Sequence, residues 1–328
     1  MCIFDDMLER ENIEAFKAQL ARKESIEEDR RMQMQAYLDS DGFGRDIEKL
    51  KAGDYWISVP TKKYIRKASG SRNREIYVFA ENERLIFSYL SFLMHRYDDK
   101  FSESVLSYCR NRDIAATQEE NMRALAKRDY YVVKFDISSY GQSLQAAKLV
   151  EVLPDIIDDD PKLMEFLRWL LLRGEFVDTK NDSIGHGNTG SLSGCALTSF
   201  FNNVYLHRVD LVYEKRCEKY FRYADDILLF CNTENEAKQI AADYTKDVTD
   251  LELGLNDEKT EILKPGDPIV YLGFVIQRDM IDIAPFTVRK MMKKVRRYGR
   301  LYYRLYRYER FGTSEQAIAA FLDKMNRI

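Results

Sequence analysis

YFRYADDILLF, residues 220–230, sets two aspartates side by side inside an apolar run. Adjacent carboxylates repel each other, and an apolar strand offers charge no solvent, so the pair needs a reason. The aromatic and aliphatic residues on both sides predict two short strands around a tight turn, with Asp225 and Asp226 at its tip. Side chains alternate faces along a strand, so if one aspartate points into a site its neighbour points away or sideways. A second apolar strand, YYVVKFDIS at 130–138, also ends in an acid, Asp136. If the two strands are neighbours, Asp136 and Asp225 converge on one face. Carboxylates that close push a pKa up unless a cation neutralises them. Oxygen-only ligation suits Mg²⁺, which keeps waters and substrate phosphates as its other ligands. Two such ions about 3.5–4 Å apart activate a hydroxyl and stabilise a leaving oxygen in phosphoryl transfer. A strand-end aspartate on its own also serves simply to mark a turn, so the order of the surrounding motifs decides.

The chain has 328 residues and is 45% apolar, enough for one large domain or two to three small ones. The most apolar stretch, LMEFLRWLLL at 163–172, is too short to span a bilayer and carries Glu165 and Arg168, so no membrane partner is expected. The start, MCIFDDMLERE, lacks the basic and apolar regions of a signal peptide. Five scattered cysteines form no CxxC, and with three lone histidines there is no zinc-ligand spacing. The cysteines read as small buried residues in a reducing compartment, and the expected location is the cytoplasm. The net charge of −3 hides an uneven distribution. KKYIRKASGSRNR (62–74) and VRKMMKKVRRYGRLYYRLYRYERF (288–311) are basic, whereas EVLPDIIDDD (151–160) is acidic. Basic blocks laced with aromatics favour a polyanion partner over a merely solvated face.

Residues 1–50 are charged and show weak helical spacing (Phe4, Met7, Leu8, then Ile13, Phe16, Leu20), which predicts a helical extension. DYWISVPTKKYI (54–65) and REIYVF (74–79) read as strands of a hairpin whose tip is basic. ENERLIFSYLSFLMHRYDDKF (81–101) is helical, and NMRALAKRD (121–129) suggests another helix. Helical segments follow near 143–150 and 161–173. A Gly-rich loop, IGHGNTGSLSG (184–194), leads into one helix, ALTSFFNNVYLHRVDLVYEK (196–215). ENEAKQIAADYTKDVTDL (234–251) is a further helix, VYLGFVI (270–276) is strand-like, and the last forty residues are helical. Alternating elements around an antiparallel hairpin give an α/β or α+β class.

YADD (223–226) between apolar strands resembles the YxDD signature of reverse transcriptases, and other blocks of that family follow in order over residues 58–276. SVPTKK…RNREIYVF (58–79) resembles the fingers block with its lysine and arginine. FDISSYGQSL (135–144) resembles the first catalytic block. GSLSGCALTSFFNNVYL (190–206) is similar to the Gly-rich loop and helix, LGLNDEKTEIL (253–263) to the block with a lysine after an Asn, and YLGFVI (271–276) to the primer-grip hairpin. The resemblance implies an α+β right-hand polymerase. Its parts would be a helical N-terminal extension (1–50), fingers (51–130), a palm (131–284, with a finger insertion about 145–185) and a helical basic thumb (285–328).

Carried over by position, Asp136 and Asp225 would bind two Mg²⁺ ions, with Mn²⁺ as an alternative. Asp226 would assist from the side, and the Ile137 carbonyl would add a ligand. Lys62 and Arg74 are placed like the fingers residues that hold the triphosphate. Lys259 would donate a proton to the departing pyrophosphate. Gly190 and Gly194 would let backbone approach template or nucleotide, and the helix from Ala196, with Asn203, would pack under the nascent base pair. Tyr271, Leu272 and Gly273 would grip the primer. On the last helix, Arg296, Arg297 and Arg300 would neutralise phosphates while tyrosines stack or pack on sugars. The implied partners are an RNA template or non-coding RNA, a DNA product and deoxynucleoside triphosphates, with a second copy of the chain or another protein as further candidates.

Two departures stand out. Leu192-Ser193-Gly194 replaces the family's PQG, and Gly141 stands five residues after Asp136, where the family carries a bulky aromatic that blocks the ribose 2′-hydroxyl. Either sugar discrimination is relaxed or Tyr140 has taken over the role. A short chain with deviant blocks most resembles the bacterial abortive-infection and defence-associated reverse transcriptases. Members of that group make DNA in response to phage, sometimes from a dedicated RNA, sometimes without template or with a protein primer. The alternatives are a retron or group II intron-like enzyme of a mobile element, a polymerase working with ribonucleotides, and a catalytically idle RNA-binding scaffold of the same fold.

Overall fold

Four helices open the chain: α1 (Ile3–Asp6), α2 (Arg10–Ala21), α3 (Glu28–Leu38) and α4 (Asp41–Lys51). The computed structural model describes residues 2–23, 26–66, 73–110, 112, 129–180, 183–256, 259–277, 280–307 and 313–326. The strands β1 (Thr61–Arg66) and β2 (Asn73–Val78) pair antiparallel, and α5 (Glu81–Met94) follows, ending in a 3₁₀ turn over His95–Lys100. The basic tip of that hairpin and the helix expected at 121–129 lie largely outside the described residues.

The opening helices are not a peripheral extension. Ile3, Phe4, Met7, Phe16 and Leu20 are all buried, Phe16 stacks on Tyr89 of α5 at 4.8 Å, and Phe4 meets Phe166 edge-on at 5.8 Å. Their apolar spacing is weak because each helix is short and the first is only one turn long, which leaves little periodicity to see.

The acid-bearing strands form the expected sheet. β3 (Tyr131–Asp136) lies beside β7 (Asp226–Cys231), β6 (Lys219–Tyr223) flanks β7, and β8 (Glu261–Leu263) flanks β3. Pairing is antiparallel, with Phe135 opposite Ile227 and Asp136 opposite Asp226. One face packs on α11 (Glu234–Asp250), where Phe135 stacks on Tyr244 at 4.8 Å. That helix starts at Thr233, whose hydroxyl accepts from Glu236 N, while the Glu236 side chain accepts from Asn232 N. This reciprocal capping explains why it begins where it does.

Between β3 and β6 lie α6 (Tyr140–Ser143), α7 (Ala146–Ile156), α8 (Pro161–Leu172), β4 (Glu175–Asp178), β5 (Ser183–His186), α9 (Thr198–Tyr205) and α10 (His207–Arg216). The predicted single helix over 196–215 is therefore two, which meet at Leu206. Part of the predicted Gly-rich loop is strand β5. It joins β4 and the first hairpin in a sheet of order β2-β1-β4-β5. A Cβ at Gly185 would overlap the Phe176 ring, so the absence of a side chain is what seats β5 on β4.

The chain divides into two units, residues 1–117 with 131–262 and residues 118–130 with 263–328. In the second, β9 (Ile269–Tyr271), β10 (Phe274–Gln277) and β11 (Met280–Ile283) form a small sheet, followed by α12 (Pro285–Arg307) and α13 (Ser314–Asn326). Leu272 (φ 48°) and Gly273 (φ 89°) form the two-residue turn between β9 and β10. Positive φ at both positions is what a tight hairpin of this length requires.

Asp160 joins the beginning of the chain to its middle. Its Oδ1 accepts from Leu163 N at 3.0 Å, capping α8, and its Oδ2 accepts from Ile3 N at 2.6 Å. Asp160→Ala removes a cap and strands a buried N–H. It should destabilise the protein by about 2–3 kcal/mol, read as a lower urea midpoint at unchanged m-value.

Candidate active site

The register does more than bring two strands together. Directly opposed residues share a face of the sheet, so Asp226 sits across from Asp136. Asp225 lies on the turn itself, after Ala224 in left-handed conformation (φ 56°), and strict alternation does not govern it. Its carbonyl accepts from Ile137 N at 3.1 Å, which ties the turn to the end of β3. The three acids feel one another. Burial pushes the Asp225 carboxyl above the ordinary range, and Asp136 adds to the rise while Lys259 and Arg74 oppose it. Asp226 is raised by burial, is lowered by Lys134, and is raised again by Asp225 and Asp136.

Lys259 provides the nearest compensation. Its Nζ lies 2.6 Å from Asp136 Oδ1, and this bond raises the lysine pKa and keeps it charged. The loop before it is held by Asn256, whose N–H donates to the Asp136 carbonyl at 2.8 Å and whose carbonyl accepts from Lys259 N at 2.9 Å. The lysine is 57% exposed, whereas the Asp136 side chain is 13% exposed. The pair is thus open on the cation's side and closed on the acid's.

The donor set fits hard divalent cations, because it is all oxygen, crowded with like charge and partly withdrawn from water. Among the described residues no group of three or more His, Cys, Asp or Glu side chains is placed to hold a metal ion.

The other expected site residues divide into two groups. Arg74, exposed on β2, acts electrostatically on Asp225. Gly141 faces a polar nook, where a Cβ would lie 3.3 Å from Ser191 Oγ, 3.4 Å from Ser193 Oγ and 3.6 Å from Asn202 Oδ1. That Asn202 oxygen is buried and has no hydrogen-bond partner among the described residues. Lys62, by contrast, is engaged elsewhere. Its Nζ is 2.7 Å from Glu75 and lies over the Phe176 ring.

Tyr140 is buried under α9, its hydroxyl donating to the Asn202 carbonyl. This placement is at odds with the expectation that it replaces an exposed aromatic gate. Asn203 is 1% exposed and fully occupied inside the fold, donating to Ser107 O and accepting from Ser107 Oγ and Arg222. These bonds hold it as a support of the site from within. Gly194 (φ 100°) admits a close approach, but to β2, since a Cβ there would lie 3.0 Å from Tyr77 O.

In the second unit, Tyr271 is buried, and Gly273 O accepts from Ala284 N and Thr287 Oγ1, so the hairpin turn braces the start of α12. Lys293, Arg296, Arg297, Arg300 and Arg304 line one open cavity of about 520 Å³ along α12. The tyrosines of that helix are split, Tyr302 packing edge-on against Phe321 of α13 while Tyr303 and Tyr306 face solvent.

Sequence reading missed Arg222 and its partner Asp210. Both side chains are 0% exposed. Arg222 Nε and Nη2 grip the two Asp210 oxygens at 2.7 and 2.6 Å, and Nη1 reaches the Ala224 carbonyl at 3.3 Å. The signal was available, since a guanidinium inside YFRYADD, flanked by inward apolar residues, demands a buried carboxylate somewhere.

The acids carry a cost that can be measured. A carboxyl whose folded pKa exceeds its unfolded value of about 3.9 adds stability below that value and loses it as pH rises through the folded pKa. At neutral pH the ionised Asp225 therefore works against folding. In chelator at pH 7, Asp225→Asn should raise Tm by about 2 °C, and the gain should vanish near pH 4.

A family model described as reverse transcriptase (RNA-dependent DNA polymerase) matches residues 67–276. No curated protein is similar enough to count as a match. Among solved structures, apo telomerase from Candida tropicalis truncated from its C-terminal domain is 13% identical, with a TM-score of 0.54 over 68% of this chain and 54% of that one. Telomerase from Candida albicans in complex with a TWJ fragment of telomeric RNA is 14% identical, with a TM-score of 0.52 over 81% and 55%. An RNA polymerase complex inside a dsRNA virus is 11% identical, with a TM-score of 0.53 over 71% and 22%. The chain spans about half the length of these telomerases, and at such identities the likeness is one of fold.

Proposed function

Because the chain belongs to the reverse transcriptase (RNA-dependent DNA polymerase) family and has the mixed α/β right-hand fold of telomerases and polymerases, we propose that it is an active polymerase joining deoxynucleotides at the Asp136–Asp225–Asp226 cluster. The observation that carries this reading is geometric: Asp226 lies opposite Asp136, Asp225 sits on the adjoining turn bonded to Ile137 N, and Lys259 is 2.6 Å from Asp136. A binding scaffold gains nothing from such an arrangement, which costs stability.

Asp136 and Asp225 would hold two Mg²⁺ ions, with Asp226 at the side. Bound there, the ions would activate the primer 3′-hydroxyl and neutralise the leaving pyrophosphate. Arg74 binds the triphosphate, since its positive field already reaches Asp225. Lys259 remains protonated beside Asp136 and is the donor for the pyrophosphate oxygen. The arginine face of α12 binds phosphates of the primer–template without reading bases. Catalysis on this plan is positioning and charge neutralisation, as in other phosphoryl transfers.

The sequence departures support a finer reading, that of a bacterial defence-associated enzyme working in the cytoplasm on an RNA of its own or without template. Mixing the protein and its co-purifying RNA with Mg²⁺ and labelled nucleotides, singly and together, tests both levels. Wild type should yield a nuclease-sensitive polymer, and Asp225→Ala with Asp226→Ala should lower the yield at least about a hundredfold. Dependence on all four nucleotides marks templating. Absence of product under every mixture, with RNA still bound, would instead support the scaffold.

Sugar choice is the second expectation. No bulky aromatic stands at Gly141, and a Cβ there would already press on the buried Ser191 and Ser193 hydroxyls, so this position has no room for the family's gate. We expect ribonucleotides to be incorporated within about tenfold of deoxynucleotides when each is supplied alone. Rejection of ribonucleotides by about a hundredfold or more would show that another group carries the discrimination.

A further inference from the structure

A second concavity adjoins the acid-bearing turn. It has a volume of about 180 Å³ and lies between α5, the 3₁₀ turn after it, the segment around Tyr108 and α9. Its floor is apolar, with Met94 and the rings of Phe101 and Phe200, whose centroids are 5.8 Å apart. Its polar groups come from Ser91, His95, Asp98, Tyr108, Ser199 and Asn203. Asp98 holds His95 Nδ1 at 2.9 Å, which leaves Nε2 as the polar edge of the ring. Ser199 and Tyr108 both line the cavity.

Tyr108 forms the rim on the side of the acids. It has a backbone φ of 61°, a conformation that a tyrosine rarely adopts, and it is 43% exposed. Its hydroxyl senses Asp225 and Arg74. The preceding residue is bonded to the turn itself, Ser107 Oγ accepting from Ala224 N at 3.0 Å. The cavity and the acids therefore share a wall.

The chemistry of the lining selects the guest. Among the described residues no lysine or arginine lines the cavity and Asp98 does, so a phosphate group is unsuited to it. Aromatic rings, a fixed imidazole edge and hydroxyls suit a flat neutral heterocycle that stacks and hydrogen-bonds. Arg74, outside the lining but within electrostatic reach of Tyr108, can meet the phosphate that such a heterocycle brings with it. We propose that this cavity receives one unpaired base of the nucleic-acid strand entering the site, with its sugar and phosphate left outside. The proposal rests on the polymerase reading for the presence of that strand.

The test is a binding measurement, made with the full chain carrying Asp225→Ala so that no synthesis intervenes. The probe is an RNA template annealed to a DNA primer, with a short 5′ overhang in which each base in turn is replaced by an abasic site. One position should matter, its loss weakening binding on the order of tenfold. Ser91→Leu and Ala196→Leu fill the cavity from two walls. Each should weaken the intact probe by a similar factor and add nothing to the abasic one. A flat abasic scan, or penalties that multiply in full, would overturn the proposal. Should both fillers unfold, 4-thiouridine at the sensitive position decides the matter. Crosslinks within residues 91–108 or 196–203 support the site, and crosslinks confined elsewhere sink it. Coupling without any incorporation by the wild-type chain would keep the base site and remove the polymerase reading, whereas no binding of the probe would remove both.

Discussion

A guanidinium sealed from solvent holds the acid-bearing turn in place. Arg222 enters the core on β6 and is neutralised there by Asp210, which also accepts from the Tyr220 hydroxyl at 2.7 Å. Desolvating such a pair makes it a poor source of net stability, but breaking it leaves a buried charge at a cost of about 3–5 kcal/mol. The Arg222 guanidinium also bonds the Ala224 carbonyl, and its backbone exchanges bonds with Ser104 and Leu106. Strand, turn and neighbouring segment are thereby fixed relative to α9 and α10. Three carboxylates that repel one another stay together because the backbone beneath them cannot relax.

Much of the fold was legible because it is written in strong, local patterns. The two acid-ending strands are nearly pure apolar runs, and the first hairpin and the long charged helices show clear periods. The relation of Asp225 to its neighbours was less so. Alternation predicts one inward and one outward aspartate, but a turn residue escapes that rule, and the observed register puts Asp226 and not Asp225 opposite Asp136. The break at Leu206 was hidden because apolar residues continue through it.

Among the site residues, charge was easier to place than service. Arg74 and Lys259 reach the acids, but Lys62, equally basic in sequence, is held by Glu75. Asn203 and Tyr140 are polar residues absorbed by the core, where hydrogen bonds to backbone carbonyls make them supports. A sequence names such residues but does not say which partners claim them. That information lies in contacts between segments far apart in the chain, such as Asn203 with Ser107 and Tyr140 with Asn202.

The bond between Ile3 and Asp160 spans 157 positions. At about 5–20 residues per second of synthesis, the cap for α1 emerges roughly 8–30 s after the helix it receives. Through that interval Phe4 and Met7, fully buried at the end, have no finished surface to settle on. The opening helices also pack on one another and on α5, which come early, but α1 gains its cap only once the middle of the chain is made. Until then part of the apolar face of α1 stays open, a patch that chaperones are suited to cover.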